Sequence, residues 1–327
     1  MPYVYGPVPS RRLGQSLGVD PIPFKTCNYN CVYCQLGRTR PVTNERKDFF
    51  PPEEILAEVG SALKARVPGE IDYVTFVGQG EPTLCASLGW LIRQVKELTT
   101  IPVAVITNGA LLSRQDVREE LQAADVVMPT LDAADEATFR RVNRPCPRLR
   151  LEEIIQGMVV FRETFAGQLW IEVMLVKGLN DTVEVLLSVR DALRRIRPEQ
   201  VQINVPVRPP AEKWVEISDE EALMRAVAIL GEAVKVIEPY EGSFDFSGFE
   251  TIADAVLAII RRHPMREVRL VETLSRYTSE EVRFTLAMLE SSGQACRRTY
   301  RGQAFWGYAG VAFGDSRSSS MVNSQAQ

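Results

Sequence analysis

The chain has 327 residues, 45% hydrophobic and 24% charged, with a formal net charge of −4. This is the profile of a globular chain with material for a sizeable core, as one large domain or two ordinary ones. It excludes a polyelectrolyte coat for nucleic acid, and no apolar run approaches the roughly 18 to 20 residues of a membrane helix. The opening MPYVYGPVPSRRLG lacks a basic-then-apolar signal segment, and six cysteines in a chain this long do not suit a secreted disulfide scaffold. A cytoplasmic protein is expected.

In chain order, YGPVPSRRLGQSLGVD (5–20) comes first, with Gly14 and Gly18 near the basic pair Arg11 and Arg12. It reads either as a segment running into the fold to touch an anion or as a solvated arm. SLGVDPIPF (16–24) is a weak strand broken by prolines. Helices are expected at 51–65, 88–99, 113–124, 151–164 and 182–196, alternating with apolar strands at 73–79, 103–109, 126–132, 169–176 and 200–205. Nearly all-apolar strands between helices predict an α/β fold with a parallel sheet covered by helices. Glycine and polar residues gather at strand ends, in GQGEP (78–82), TNG (107–109), LDAAD (131–135) and NVPVRPP (204–210). Chemistry collects on that edge in barrels and open sheets alike.

Beyond 210 the texture changes. One more helix with its lead-in spans 211–233, closing a first domain of 1–237. Residues 238–248 read as a linker. Residues 249–310 read as helices at 250–263, 265–274 and 278–293, then a ribbon turning at Arg301-Gly302, the shape of a winged helix-turn-helix. Residues 311–327 read as a disordered tail.

The densest chemistry is CNYNCVYC (27–34), with Cys27, Cys31 and Cys34 in eight residues. A structural zinc site wants four ligands and would need Cys85 or His263, the one histidine of the chain. A set of buried thiols is a further reading, with Asn28, Tyr29 and Asn30 satisfying the loop backbone. Three cysteines can instead hold three irons of a four-iron cube and leave the fourth open, as a catalytic centre does.

CNYNCVYC resembles the CxxxCxφC motif of the radical S-adenosylmethionine (SAM) superfamily, with Tyr33 as the aromatic before the last cysteine. GQGEP resembles its GGE motif, with Gln79 in the middle place, and the strand–helix repeats resemble its partial (β/α)6 TIM-type barrel over about residues 15–210. The resemblance implies a 4Fe–4S cluster on Cys27, Cys31 and Cys34 and SAM on the open iron. It implies SAM contacts from Tyr33, from Gly78, Gly80 and Glu81, from Thr107 and Asn108, from Asp132, and from Asn204 beside Ile203. The implied chemistry is reductive cleavage of SAM to a 5′-deoxyadenosyl radical that takes a hydrogen atom from substrate, with electrons from a donor such as flavodoxin or ferredoxin. GPVPSRRLGQSLG followed by KTCNYNCVYCQLGRT resembles the branch grouped with the tRNA wyosine-base synthases. The archaeal synthases carry further cysteines before this motif, and this chain has none before Cys27.

Other candidates stay open between function and structure. Asn143-Arg144-Pro145, Arg208-Pro209-Pro210 and Lys177 read as anion clamps or surface ion pairs. Glu172 sits inside an apolar strand, where a carboxylate needs a partner or a role. Cys85 and Cys296 read as packed thiols, and Cys146 as packed or reactive. Over 247–310, nine arginines face seven acids. Arg297, Arg298 and Arg301 interleave with Tyr300, Phe305 and Trp306, a pattern that suits nucleic acid, while winged helices also take peptides or cap other domains. The expected function is RNA (tRNA) modification by a radical SAM enzyme. A peptide- or protein-modifying enzyme and a non-catalytic iron–sulfur DNA-binding regulator are the alternatives. No catalytic residue is assigned.

Overall fold

The computed structural model describes residues 3–231, 233–237, 249 and 251–310. The expected linker 238–248 and the expected tail 311–327 lie outside the described residues. Strand and helix alternate as β1 (Val4–Ser10), β2 (Gly14–Val19), α1 (Pro52–Lys64), β3 (Tyr73–Phe76), α2 (Leu88–Leu98), β4 (Val103–Thr107), α3 (Gln115–Leu121), β5 (Val126–Pro129), α4 (Glu136–Val142), α5 (Leu151–Thr164), β6 (Gln168–Met174), α6 (Val183–Ile196), β7 (Gln200–Asn204), α7 (Glu220–Leu230) and β8 (Val234–Val236). These strands form one eight-stranded sheet in chain order. β2 to β8 are parallel, and β1 pairs antiparallel with β2.

The α/β expectation holds, with differences at the edges. The basic N-terminal segment is neither a loose arm nor a loop: it is β1, turning at Arg11-Arg12 into β2. β2 stops at Val19, short of the expected 24, because Pro21 and Pro23 have no N–H to donate to a ladder. β8 is a seventh parallel strand that the sequence pattern did not reveal.

Strand alternation sorts the side chains into two layers. Leu17, Val19, Val74, Phe76, Val105, Ile171, Val173, Val201 and Ile203 share one buried cluster with Ile55, Leu88, Leu91, Ile154, Met158, Phe161 and Leu186 of the helices. Ile203 therefore belongs to the sheet–helix core. On the other, inner face, Leu13, Ala104, Val126, Met128 and Trp170 form a small apolar plug. Beyond the plug the inner face turns polar, and Arg12 crosses to an ion pair with Glu172 of β6. Glu172 thus has the partner its setting demanded.

The helices begin where the sequence supplies an oxygen for the first turn. The side chains of Thr182, Asp219 and Asp135 accept from Val185, Ala222 and Thr138 backbone N–H at the starts of α6, α7 and α4. The last of these, α4, is a short helix absent from the expected set.

The C-terminal residues form α8 (Ile252–Arg262), β9 (Met265–Arg266), α9 (Glu267–Thr273), α10 (Ser279–Ser291), β10 (Ala295–Tyr300) and β11 (Gln303–Tyr308). The expected helix over 265–274 loses its first two residues to β9, which pairs with β11 in a three-stranded sheet. Arg301 and Gly302 both have positive φ, 51° and 73°, as a two-residue hairpin turn requires. This unit has its own core, including Val256, Ile260, Leu270, Val282, Leu286 and Trp306. It is docked on the larger sheet. The Arg262 guanidinium lies 4.2 Å from the centre of the Tyr5 ring, the Tyr300 hydroxyl donates to the Pro206 carbonyl at 2.8 Å, and Phe24 meets Tyr308 edge-on.

Candidate functional site

The three cysteines lie on the loop that leaves the C-terminal end of β2, and loops from the ends of β3, β4 and β5 hold it in place. Asn30 N–H donates to the Asn143 carbonyl at 3.0 Å, Val32 N–H to Val142 at 2.9 Å, and Cys146 N–H to the Asn28 carbonyl at 2.8 Å. Asn30 Oδ1 accepts from Thr39 N–H, and Tyr29 is buried edge-on against Phe139. Of the residues between the cysteines, Asn30 alone satisfies backbone with its side chain, whereas Asn28 bonds the side chains of Asn44 and Asn108 and Tyr29 packs on Phe139.

GQGEP meets the cysteine loop from the other side. A Cβ on Gly80 would collide with the Thr26 carbonyl, and one on Gly78 with Asp20 and Ile22, so both positions need glycine for close approach. Glu81 N–H donates to that Thr26 carbonyl at 2.9 Å. Gln79, the departure from the family motif, donates through Nε2 to Asp20 Oδ2 at 2.8 Å. Asp20 in turn lies 3.7 Å from the guanidinium of Arg262, which comes from α8.

The Glu81 carboxylate is buried and accepts four hydrogen bonds, from Thr83 N–H and hydroxyl, Thr107 hydroxyl and Asn108 N–H. Burial raises its pKa, and these donors oppose the rise. Asn108 extends the chain of contacts, donating through Nδ2 to Asn28 Oδ1 at 2.6 Å and to Cys27 Sγ at 3.6 Å. Asp132 accepts from the Tyr33 hydroxyl, from Asn143 Nδ2 at 2.6 Å and from Met174 N–H at 2.8 Å. Burial pushes its carboxyl up to about 6. Asn204 is buried at the end of β7, its Oδ1 accepting from Val205 N–H. Tyr33, Glu81, Thr107, Asn108, Asp132 and Asn204 thus all stand on the cysteine edge or the strand ends around it, with their side chains already engaged.

Each cysteine sulfur faces a nitrogen donor from elsewhere. Lys25 Nζ lies 3.3 Å from Cys34 Sγ, Asn143 Nδ2 lies 3.6 Å from Cys31 Sγ, and Asn108 Nδ2 and Tyr29 N–H approach Cys27 Sγ. Burial raises the thiol of Cys27 to about 12 and that of Cys31 well above its usual range. A metal in the proton's place would offset that rise, and the N–H donors would stabilise the sulfur charge. Among the described residues no three His, Cys, Asp or Glu side chains converge on a single ion.

Lys25 and Asn143 as sulfur partners were not anticipated. Lys25 has positive φ, 59°, and no motif marks it. Asn143 was read as part of an anion clamp. The other clamp candidates resolve differently. Arg144 pairs with Glu212, which also pairs with Arg38. Lys177 makes a surface pair with Asp219 at 3.3 Å. Cys85 is buried as expected, whereas Cys146 and Cys296 are only partly so.

Residues 22–188 match the model of the Radical SAM superfamily. The chain belongs to that superfamily. A UPF0026 protein of Methanocaldococcus jannaschii is 36% identical over 312 residues, covering 94% of this chain and 96% of that protein. A UPF0026 protein of Synechocystis sp. is 40% identical over 217 residues, covering 66% of this chain and 80% of that protein. Among solved structures, anSMEcpe with bound AdoMet aligns with 66% of this chain and 58% of its own, at 17% identity and a TM-score of 0.49. Radical SAM enzymes use a 4Fe–4S cluster and SAM, and draw electrons from a reductant such as flavodoxin or ferredoxin. Among the described residues no helix is long and apolar enough to cross a membrane.

The contact from Lys25 generates a test. In the radical SAM enzyme Lys25→Met, the cluster is expected to form with a more negative midpoint potential, because a donor to a cluster sulfur favours the reduced state. A redox titration followed by electron paramagnetic resonance reads this. An unchanged potential would show that the lysine does not face a ligating sulfur.

Proposed function

We propose that Cys27, Cys31 and Cys34 hold the 4Fe–4S cluster and leave one iron for SAM. The observation that carries this reading is three thiols on one loop, each with its own N–H donor. When bound, the cluster and SAM together supply reductive cleavage to methionine and a 5′-deoxyadenosyl radical. The chain's own residues do the rest. Lys25, Asn108 and Asn143 stabilise sulfur charge, while Gly78, Gly80 and Glu81 set the edge that receives SAM. Tyr33, Thr107, Asn108, Asp132 and Asn204 complete the surround. Because their polar ends are engaged within the protein, we assign them ring faces, backbone and positioning rather than free side-chain donors. The apolar plug on the inner face keeps water from the space beneath.

Residues 249–310 we read as a winged-helix-like unit, on the order α8-β9-α9-α10-β10-β11 and the pairing of β9 with β11. The barrel domain we place at 1–237. An RNA substrate is one reading of this unit's role. It draws on Arg297 and Arg301, both exposed on the ribbon. Phe305 and Trp306, by contrast, are buried, and Tyr300 is spent on Pro206. A peptide or protein substrate is the second reading. It is favoured by α10, which carries Glu280, Glu281 and Glu290 against Arg283 and exposes Phe284 and Met288. An acidic helix with apolar side chains repels phosphate and suits a polypeptide. The finer placement beside the wyosine-base synthases rests on GPVPSRRLGQSLG and KTCNYNCVYCQLGRT alone. Superfamily membership favours an enzyme over the non-catalytic regulator.

Two experiments test these readings. Reconstituted wild type, reduced in the presence of SAM, is expected to yield 5′-deoxyadenosine, and Cys31→Ala none. Product from both proteins would remove the cysteine assignment. If RNA is the substrate, reversing charge at Arg297 and Arg301 together weakens RNA retention at least tenfold and flattens its salt dependence. Retention unchanged by the reversal would leave the polypeptide reading.

A further inference from the structure

Between the inner face of the sheet and the docked C-terminal unit lies a group of arginines that the SAM site does not use. Arg12 leaves the β1–β2 turn and pairs with Glu172. Arg208, on the segment after β7, donates through Nη1 to Gln35 Oε1 at 3.0 Å. Gln35 follows Cys34 directly, and its Nε2 donates to the Arg262 carbonyl at 2.9 Å and lies 3.4 Å from His263 Nδ1. Arg262 faces Asp20. Arg11 Nη1 is buried without a hydrogen-bond partner. Among the described residues, neither Arg11 nor Arg208 has an ion-pair partner.

The local charge is therefore unbalanced. Arg11, Arg12, Arg208 and Arg262 face two carboxylates, Glu172 and Asp20, leaving two positive charges uncompensated. Burial, then the repulsion of Arg11 and Arg208, lowers the Arg12 guanidinium to about 10. Burial, then Arg11, does the same to Arg208. Burial, and then these arginines, push His263 well below its usual range. Buried cations without partners are costly, and a fold keeps them where a ligand completes the set.

We propose that Arg11, Arg12 and Arg208 bind a dianionic phosphate group of a small substrate, a phosphate monoester or diphosphate. The planar guanidinium fork matches phosphate oxygens. Two surplus charges match a dianion better than the monoanionic diesters of a nucleic-acid backbone. Through Gln35 the site abuts the cysteine loop, so a substrate held by its phosphate presents the rest of its frame toward the radical. This inference rests on the proposed SAM chemistry for its role, but the anion site is tested on its own.

Calorimetric titration of the reconstituted holoenzyme with inorganic phosphate is expected to show saturable binding. That binding weakens at least tenfold in Arg11→Met and in Arg208→Met, and less in Arg11→Lys and Arg208→Lys. The exposed Arg148→Met serves as the charge control and keeps full binding. The lysine variants preserve the charge and the fold if a methionine variant does not fold. A short oligoribonucleotide without a terminal phosphate is expected not to compete. The site is overturned if phosphate does not saturate, if Arg148→Met loses binding equally, or if the oligoribonucleotide displaces phosphate. Deoxyadenosine formation by the same wild-type preparation separates the two claims. SAM cleavage without phosphate binding removes the anion site alone. Phosphate binding without cleavage leaves the anion site standing and removes the proposed chemistry.

Discussion

The buried carboxylate of Glu81 is the constraint on which the site depends. It gathers Thr83, Thr107 and Asn108, so the ends of β3 and β4 are joined through one side chain. A carboxylate this buried is tolerable because its oxygens are occupied, and removing it would leave several buried donors without partners. Asn108, fixed by this contact, then reaches Asn28 and Cys27 on the loop after β2. The glycines beside Glu81 let the β3 loop close onto the Thr26 carbonyl. The cysteine loop is thus held by contacts from the ends of β3 and β4 as well as by its own backbone bonds.

A second set of contacts joins the C-terminal unit to the same region. Arg262 of α8 faces Asp20, which holds Gln79, and the carbonyl of Arg262 receives Gln35 beside Cys34. The unit is therefore tied to both motifs that the superfamily shares. A domain docked this way places Arg262 and His263 beside the residue that follows Cys34.

Much of this was legible in the sequence. Apolar strands between amphipathic helices announced the parallel sheet, and CNYNCVYC marked the loop at the end of β2 that neighbouring strand-end residues contact. GQGEP was legible as a strand-end loop, but the close approach that Gly78 and Gly80 allow was not. What was not legible depends on neighbours far apart in sequence. Nothing local distinguishes Lys25 from a solvated lysine, or shows that Asn143 turns toward Cys31 instead of an anion. β1 was obscured because its prolines and glycines weaken the strand pattern, although antiparallel pairing at a sheet edge accepts them. The aromatic residues of the ribbon suggested a nucleic-acid surface. Tertiary packing uses Trp306 in the unit's core and Tyr300 in docking, and periodicity alone does not separate a buried aromatic from a displayed one. The meeting of Arg11, Arg12 and Arg208 required the β1–β2 turn and the segment after β7 to face one another.

The most direct test of a three-cysteine cluster with an iron open to SAM is electron paramagnetic resonance of the anaerobically reconstituted, reduced protein with and without SAM. The account predicts a reduced 4Fe–4S signal whose g values shift when SAM is added. A cluster signal indifferent to SAM, or stoichiometric zinc in place of any cluster, would contradict it.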